Sequence, residues 1–250
     1  MNLTFSLIYN PGIIEKESNN FSHLAFMEVP EMYDGNFIKW KEMPTLVMLK
    51  QVENYMKETH LARGQKHVKF VFPQDKKIPD ALVAYLMEQR YDIGLLEMYA
   101  IDPKTFPTDV SSSAHVQFIT EETLEAYCNI HYEEAKQWGE SYALSKRELL
   151  KKDFRDQCKQ QIIALVDGEI IGSVDIVVHE QTAEIDNFFV LPAFQRQGIG
   201  SKIQQFVMQQ YADKTVILVA DGEDTPKDMY VKQGYHFIGF QYNALKAEIK

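Results

Sequence analysis

Cysteine is scarce in this chain of 250 residues: only Cys128 and Cys158 occur. Their spacing fits neither a zinc site nor a redox motif, and both are expected to stay reduced in a cytoplasm. No apolar run is long enough to cross a bilayer, so no membrane association is expected. Met1 to Asn10 lacks a positive n-region and a small-residue cleavage site, so no secretory signal is read there. Positive charge is also short, with 26 Lys and Arg against 36 Asp and Glu and a formal net charge of −10. That balance disfavours the phosphate contacts on which nucleic-acid binding depends, and it suits a cationic small substrate. The seven histidines show no metal-ligand spacing. His131, His179 and His236 read as surface or strand positions, so no metal is expected. What remains is ordinary globular material, 45% hydrophobic and 25% charged, enough for one large domain or two small ones.

The stretch from Ala183 to Tyr211 organises the chain. Ala183 to Val190 is apolar and rich in β-formers, as in a largely buried strand. Pro192 ends it, because proline donates no ladder hydrogen bond. Ile199, Ile203, Phe206, Val207 and Tyr211 then follow the spacing of one helix face. Between strand and helix lies Gln195-Arg196-Gln197-Gly198-Ile199-Gly200. Glycines let a ligand approach the backbone, and the first N–H groups of a helix have no internal acceptor. With the helix dipole added, the turn is a candidate anion site. A P-loop is excluded, because Ser201-Lys202 follows Gly200 in the wrong order. A dinucleotide fingerprint is excluded as well, because Ile203 stands where its third glycine belongs.

The segment resembles the signature of the GNAT superfamily of N-acetyltransferases: a strand, then Gln/Arg-x-x-Gly-x-Gly/Ala, then a helix. In that family the loop amides hold the pyrophosphate of acetyl-coenzyme A. The resemblance implies that Arg196, Gln197, Gly198, Ile199, Gly200 and Ser201 bind the cofactor, mainly through backbone N–H groups. It also implies that the amides of Phe188, Phe189 and Val190 hold pantetheine and polarise the thioester carbonyl. Arg196 and Lys202 either add charge against the phosphates or are solvated surface residues.

The rest of the chain reads as mixed α/β. Met48 to Lys57 is a helix that Gly64 ends, Val68 to Phe72 a strand, and Pro79 opens a helix with Leu82, Tyr85 and Leu86 on its apolar face. Ile93 to Ile101 is strand-like. Gln89-Arg90-Tyr91 before Ile93-Gly94-Leu95 parallels Gln233-Gly234-Tyr235 before Phe237-Ile238-Gly239, which is either a degenerate GNAT-like repeat or coincidence. Pro103, Pro107 and Ser111-Ser112-Ser113 mark Asp102 to Ala114 as a linker. The expected domains are therefore residues 1–108 (a smaller α/β domain of unassigned role) and 114–250.

In the second domain, His115 to Ile119 is a strand and Thr120 caps a helix ending near Gly139. Ser145 to Glu148 is a capping-box pattern opening a second helix. Three antiparallel strands follow, with Asp167-Gly168 as a hairpin turn. After the motif helix come a strand at Val216 to Ala220, a short helix capped by Thr225, and a closing strand from Tyr235 to Leu245. That order matches the GNAT acyl-CoA N-acyltransferase fold. Tyr230 to Tyr235 also looks like the family's Tyr-x-x-x-Gly-Phe.

Acetyl transfer to an amine requires a base, an oxyanion donor and a proton for the leaving thiolate. Deprotonating a lysine-like ammonium costs roughly 4–5 kcal/mol at pH 7. The resemblance implies that Tyr230 is the general acid; its alternative role is aromatic packing. For the base, Glu184 and Asp186 share one face of the motif strand. Glu184 precedes Val190 by the interval of the catalytic glutamate in histone-type members, while other relatives use another carboxylate, a water chain or no dedicated base. The family's frequent asparagine after the next strand is replaced by Glu223, in the acidic run Asp221-Gly222-Glu223-Asp224, which is either an acceptor-side feature or a solvated loop.

The expected activity is transfer of acetyl from acetyl-CoA to a primary amine of a small molecule or protein. The alternative is a non-catalytic acyl-CoA-binding module. The first domain serves in dimerisation (giving a homodimer), as a lid, or is a decayed copy.

Overall fold

Pro79, Gly64, Gly168 and Gly234 stand at element ends, as their backbone preferences require. The computed structural model describes residues 2–222 and 226–249. Contacts divide the chain into two units: Met1–Met98 with Ala220–Asp224 and Ile238–Lys250, and Tyr99–Val219 with Thr225–Phe237.

The first unit contains β1 (Ile13–Glu17), β2 (Phe21–Ala25), β3 (Phe37–Trp40), α1 (Leu46–Ala62), β4 (Val68–Val71), α2 (Asp80–Glu88) and most of β5 (Asp92–Ile101). Neighbouring strands are antiparallel from β1 to β2 and β2 to β3, and parallel from β3 to β4. Thr45 caps α1 by accepting from the Met48 amide at 3.3 Å. The α1 residues Leu49, Val52 and Met56 pack with Ile38, Trp40, Phe70, Phe72, Leu82 and Leu86.

The second unit contains β6 (His115–Phe118), α3 (Glu121–Ala135), α4 (Glu140–Asp153), β7 (Lys159–Val166), β8 (Glu169–Val178), β9 (Thr182–Val190), α5 (Ile199–Gln210), most of β10 (Thr215–Asp221) and α6 (Pro226–Lys232). β6 to β9 are successively antiparallel, and β10 joins β9 in parallel. Asp167 (φ 51) and Gly168 (φ 85) make the β7–β8 hairpin turn with both residues left-handed. Leu124, Tyr127 and Cys128 of α3 and Leu150 of α4 pack on Ile163 and Ile170. Ile199, Ile203 and Val207 of α5 are buried on the opposite face, where Ile203 lies against Gly172.

Four features depart from the sequence reading. Residues 238–250 belong with the first unit, because the last strand, β11 (His236–Lys246), pairs antiparallel with β4, setting Ala244 opposite Phe70. The two units divide within β5, between Met98 and Tyr99. Asp102 to Ala114 is more than a linker: Pro103–Thr105 is a 3-10 turn, and Phe106 and Ala114 are buried. Finally, α4 starts at Glu140 and runs through Ser145. Gly139 (φ 114) makes the break that ends one helix and begins the next, so the capping-box pattern at Ser145 lies inside a helix. The expected cap at Thr225 and the residues Glu223 and Asp224 lie outside the described residues.

Candidate active site

The candidate anion site is the first turn of α5. Gly198, its N-cap, has φ 76 and ψ 1, a left-handed conformation that favours glycine. A Cβ there would stand 2.5 Å from the carbonyl oxygen of Ser111. Arg196 is left-handed too, at φ 61. Gln195 and Gln197 fold back on the loop, donating to the carbonyls of Val190 at 3.0 Å and Ala193 at 3.1 Å. The first main-chain bond into the helix runs from Lys202 N to Gly198 O at 2.9 Å. Among the described residues, no main-chain carbonyl accepts from the amides of Arg196 to Ser201. These donors sit at the positive end of a 12-residue helix, which makes the turn fit a phosphate group. Arg196 is exposed, and Lys202 is half-buried with its Nζ on Gln205 Oε1 at 3.1 Å.

β9 leads into this turn and is broken near its end. Its register with β8 shifts between the pairs Asp175–Asp186 and Ser173–Phe189. Asn187 takes up the extra residue at φ 47, a β-bulge. Pairing of β9 with β10 runs from Thr182–Thr215 to Ile185–Leu218, although β9 continues to Val190. Phe188, Phe189 and Val190 therefore lie beyond the recorded β10 pairing. Gly200 stands close to the Phe188 ring, where an added Cβ would lie 3.4 Å from Cζ. The expected thioester-binding strand end and the expected phosphate-binding turn thus meet in one place.

Tyr230 on α6 is buried at 8% exposure, with its ring 5.7 Å from that of Tyr99 and 5.4 Å from that of Tyr235. The segment after α6 is tied to α5, because Gln233 Nε2 donates to Ser201 Oγ at 3.2 Å and Tyr235 OH donates to Gln204 Oε1 at 2.8 Å. Tyr230 therefore belongs to the same neighbourhood as the Gly198 turn. Glu184 lies farther back on β9. It is buried at 5% exposure and flanked by Val177 and Ile217, with His179 Nε2 3.8 Å from its Oε2. Asp186 is exposed.

A polar cluster that the sequence reading passed over lies at the bulge. His131 is neither a surface nor a strand residue: it is on α3 and 0% exposed. Its Nε2 meets Ser173 Oγ at 3.0 Å, its Nδ1 is 3.6 Å from Glu134 Oε2, and its ring is 5.1 Å from that of Phe189. Tyr127, one turn earlier, donates its hydroxyl to Asp175 Oδ1, and Asn187 Nδ2 donates to Asp175 Oδ2 at 2.9 Å. Lys146 of α4 donates to Asn187 Oδ1 at 3.3 Å. Burial pushes the Asp175 carboxyl above the usual range. The His131 imidazole beside it holds Glu134 below that range. A signal for this cluster was available: Tyr127 and His131 are four apart on one helix face, and Ser173 and Asp175 are polar residues on alternate positions of an apolar strand. His179 is partly exposed and His236 exposed. Among the described residues, no group of three or more His, Cys, Asp or Glu is placed to hold a metal ion.

Residues 127–244 match the Acetyltransferase (GNAT) domain, and residues 3–99 match a domain of unknown function (DUF5613). The C-terminal region of the chain is a GNAT domain.

Among solved structures, a functionally unknown conserved protein from Staphylococcus epidermidis ATCC 12228 is 34% identical, with 99% of this chain and 98% of that chain covered and a TM-score of 0.90. A GCN5-related N-acetyltransferase from Kribbella flavida is 12% identical over 92% of this chain and 88% of that one, with a TM-score of 0.60. A tandem GNAT protein from the clavulanic acid biosynthesis pathway is 10% identical over 94% of this chain and 82% of that one, with a TM-score of 0.54. The last two show likeness of fold. No curated protein matches the chain. The GNAT domain spans α3 to β11, so the Gly198 turn, the β9 bulge and Tyr230 all lie inside it. Among the described residues, no helix is long and apolar enough to cross a membrane.

Proposed function

We propose that the protein transfers acetyl from acetyl-CoA to a primary amine of a small molecule or protein. The observation that carries this reading is the run of amides from Arg196 to Ser201 with no main-chain acceptor among the described residues, at the mouth of α5. The residues fit the coenzyme. Helix N-terminal amides suit its pyrophosphate. The stretch from Phe188 to Val190 offers main-chain donors to pantetheine and to the thioester oxygen, where negative charge develops.

The nitrogen lone pair of the acceptor attacks the thioester carbon, the N–C bond forms, and the C–S bond breaks. Tyr230 gives its hydroxyl proton to the departing thiolate, which avoids expelling a bare anion into a buried site. The acceptor's own proton goes to a carboxylate, for which Glu184 is the candidate on the motif strand.

Two measurements test this together. Calorimetry with acetyl-CoA should show saturable one-site binding. Thiol release with a panel of primary amines should be steady and slowed on the order of 10²-fold or more by Tyr230→Phe. Binding without thiol release would leave a non-catalytic acyl-CoA-binding module, and absence of binding would remove both readings.

A further inference from the structure

Asp175 has an environment that the acyl-transfer reading leaves unused. Its two recorded hydrogen-bond donors, the Tyr127 hydroxyl and Asn187 Nδ2, are both neutral. A carboxylate so placed has no bonded cation to make it a weak base. It stands on β8 directly opposite Asp186, beside the bulge, and keeps partial exposure to solvent.

We propose that Asp175 accepts the proton of the acceptor amine, within the side-chain cluster that also holds Asn187, Glu134 and Lys146; the inference rests on the acetyl-transfer reading above.

Position is the first argument. Asn187 immediately precedes Phe188, where the thioester-binding stretch begins, and its side chain is bonded to Asp175. Glu184 lies four residues back, about 13 Å along an extended strand. The second argument is the backbone at Asn187. A left-handed non-glycine residue costs about 1–2 kcal/mol and persists only where surrounding contacts hold it. Here the holding contacts are Asp175 Oδ2 and Lys146 Nζ, so the bulge aims an amide at the carboxylate.

Charge is the third argument. Tyr127 and His131 face Asp175 from α3, and Asp186 and Asn187 face it from β9. Glu134 of α3 and Lys146 of α4 stand next to these, on His131 and Asn187. Glu134, held ionised, attracts an ammonium. The Lys146 charge then lowers the pKa of an ammonium brought beside it, because two like charges disfavour each other. Burial of Asp175 acts from the other side, making the carboxylate a stronger proton acceptor.

The step balances. One N–H proton of the ammonium passes to an Asp175 oxygen, and the freed lone pair attacks the carbonyl carbon. The thiolate takes the Tyr230 proton, and the nitrogen gives up its second proton as the amide forms. That proton restores the Tyr230 hydroxyl by way of solvent, and Asp175 returns its own proton to solvent.

The test uses the full chain with acetyl-CoA and a panel of primary amines, reading kcat/KM against pH for the wild type, Asp175→Asn, Tyr127→Phe and Glu184→Gln. Asp175→Asn should lower kcat about 10²- to 10⁴-fold and remove the acid limb of the profile, with acetyl-CoA affinity by calorimetry unchanged. Tyr127→Phe takes a donor from the carboxylate, so the limb should move to higher pH; a merely structural role of Tyr127 would not move it. Should Asp175→Asn fail to fold, the direction of the Tyr127→Phe shift decides. Wild-type turnover with the limb retained in Asp175→Asn, unmoved in Tyr127→Phe, or abolished by Glu184→Gln would overturn this inference alone. A wild type that binds acetyl-CoA yet releases thiol with no amine would overturn the enzyme reading and this inference with it.

Discussion

Lowering the pH from 7 to 5 should destabilise the first unit through its histidines. His23, His60 and His67 are buried at 0%, 1% and 1% exposure. Their rings form a row, with centroids 6.0 Å apart from His23 to His60 and 4.7 Å from His60 to His67. His60 Nδ1 bonds to the carbonyl of His67 at 2.6 Å, and His67 Nε2 bonds to that of Asn36 at 3.0 Å. Among the described residues, Nε2 of His23 and of His60 has no hydrogen-bond partner, so a proton added there meets no acceptor. Burial pushes His23 and His67 down to about 4 and lowers His60 as well, while Glu15 near His23 opposes the shift only in part. In the unfolded chain each imidazole returns to about 6.5. Between these values the unfolded chain binds more protons, so this stability is present above about pH 6.5 and is lost as the pH falls toward 4. At pH 5 the loss is about 2 kcal/mol for each of His23 and His67, or about 4 kcal/mol together. That is a large share of the roughly 5–15 kcal/mol that holds a domain folded. Glu15, kept low by its bond to Arg63, contributes only at still lower pH, so the window from 7 to 5 isolates the imidazoles. The assay is urea unfolding followed by tryptophan fluorescence, since Trp40 is 2% exposed in this unit and Trp138 is already 60% exposed. An unchanged midpoint between pH 7 and 5 would refute the reasoning. His23→Asn should flatten the pH slope by nearly half, whatever it does to the absolute stability.

Gly198→Ala should lose about 1–2 kcal/mol from its left-handed backbone, and more from the contact at 2.5 Å with Ser111 O, measured by thermal unfolding. Gly200→Ala meets only the Phe188 ring at 3.4 Å and should stay within about 1 kcal/mol of wild type, so a loss of acetyl-CoA affinity there would report on ligand approach rather than on folding. Glu53→Leu should cost on the order of 2–4 kcal/mol in urea unfolding, because Glu53 is 1% exposed and accepts from the hydroxyls of Tyr85 at 2.5 Å and Tyr91 at 3.0 Å. Glu125→Gln, which breaks exposed pairs with Arg147 and Lys151, should cost under about 1 kcal/mol in the same assay.

The features legible in the sequence are those set by local chemistry. Pro192, Gly198 and the spacing of Ile199, Ile203 and Val207 define a strand, a turn and a helix without reference to anything distant. The Asp167-Gly168 turn is equally local, because both positions need positive φ and the dipeptide tolerates it. Ser145 shows how such local reading fails. Its side chain and Glu148 form a plausible cap, yet Gly139 had already allowed the chain to turn, and α4 runs on through the pattern. The partner of the last strand is illegible for a different reason. Nothing in Gln241 to Lys246 says that its partner is β4, because a strand carries its burial pattern in its own sequence and its neighbour only in the fold.

The bulge at Asn187 is the least legible feature and the one with most consequence for the site. Counting in twos along β9 places Glu184 and Asp186 on one face, and that count holds only while each residue opposes one partner. Asp175 opposes Asp186, but Ser173 opposes Phe189, so β9 spends one residue more than β8 across the same interval. Beyond Asp186 the parity is reversed, and no alternation drawn from the sequence predicts which face Phe188 or Phe189 presents. The strand that looked continuous therefore has two halves with opposite facing. Their junction is where Asp175, Tyr127 and Asn187 meet. Removing the junction tests its importance without touching the carboxylate. Asn187→Gly keeps the left-handed backbone at no steric cost while deleting the side-chain bonds to Asp175, Lys146 and His131, whereas Asn187→Val disfavours the conformation itself. If the bulge serves by aiming the amide, Asn187→Gly should fold like the wild type yet lose turnover by about tenfold or more, the worth of a bond to a charged group. Full turnover in Asn187→Gly would mean that the backbone geometry alone serves the reaction.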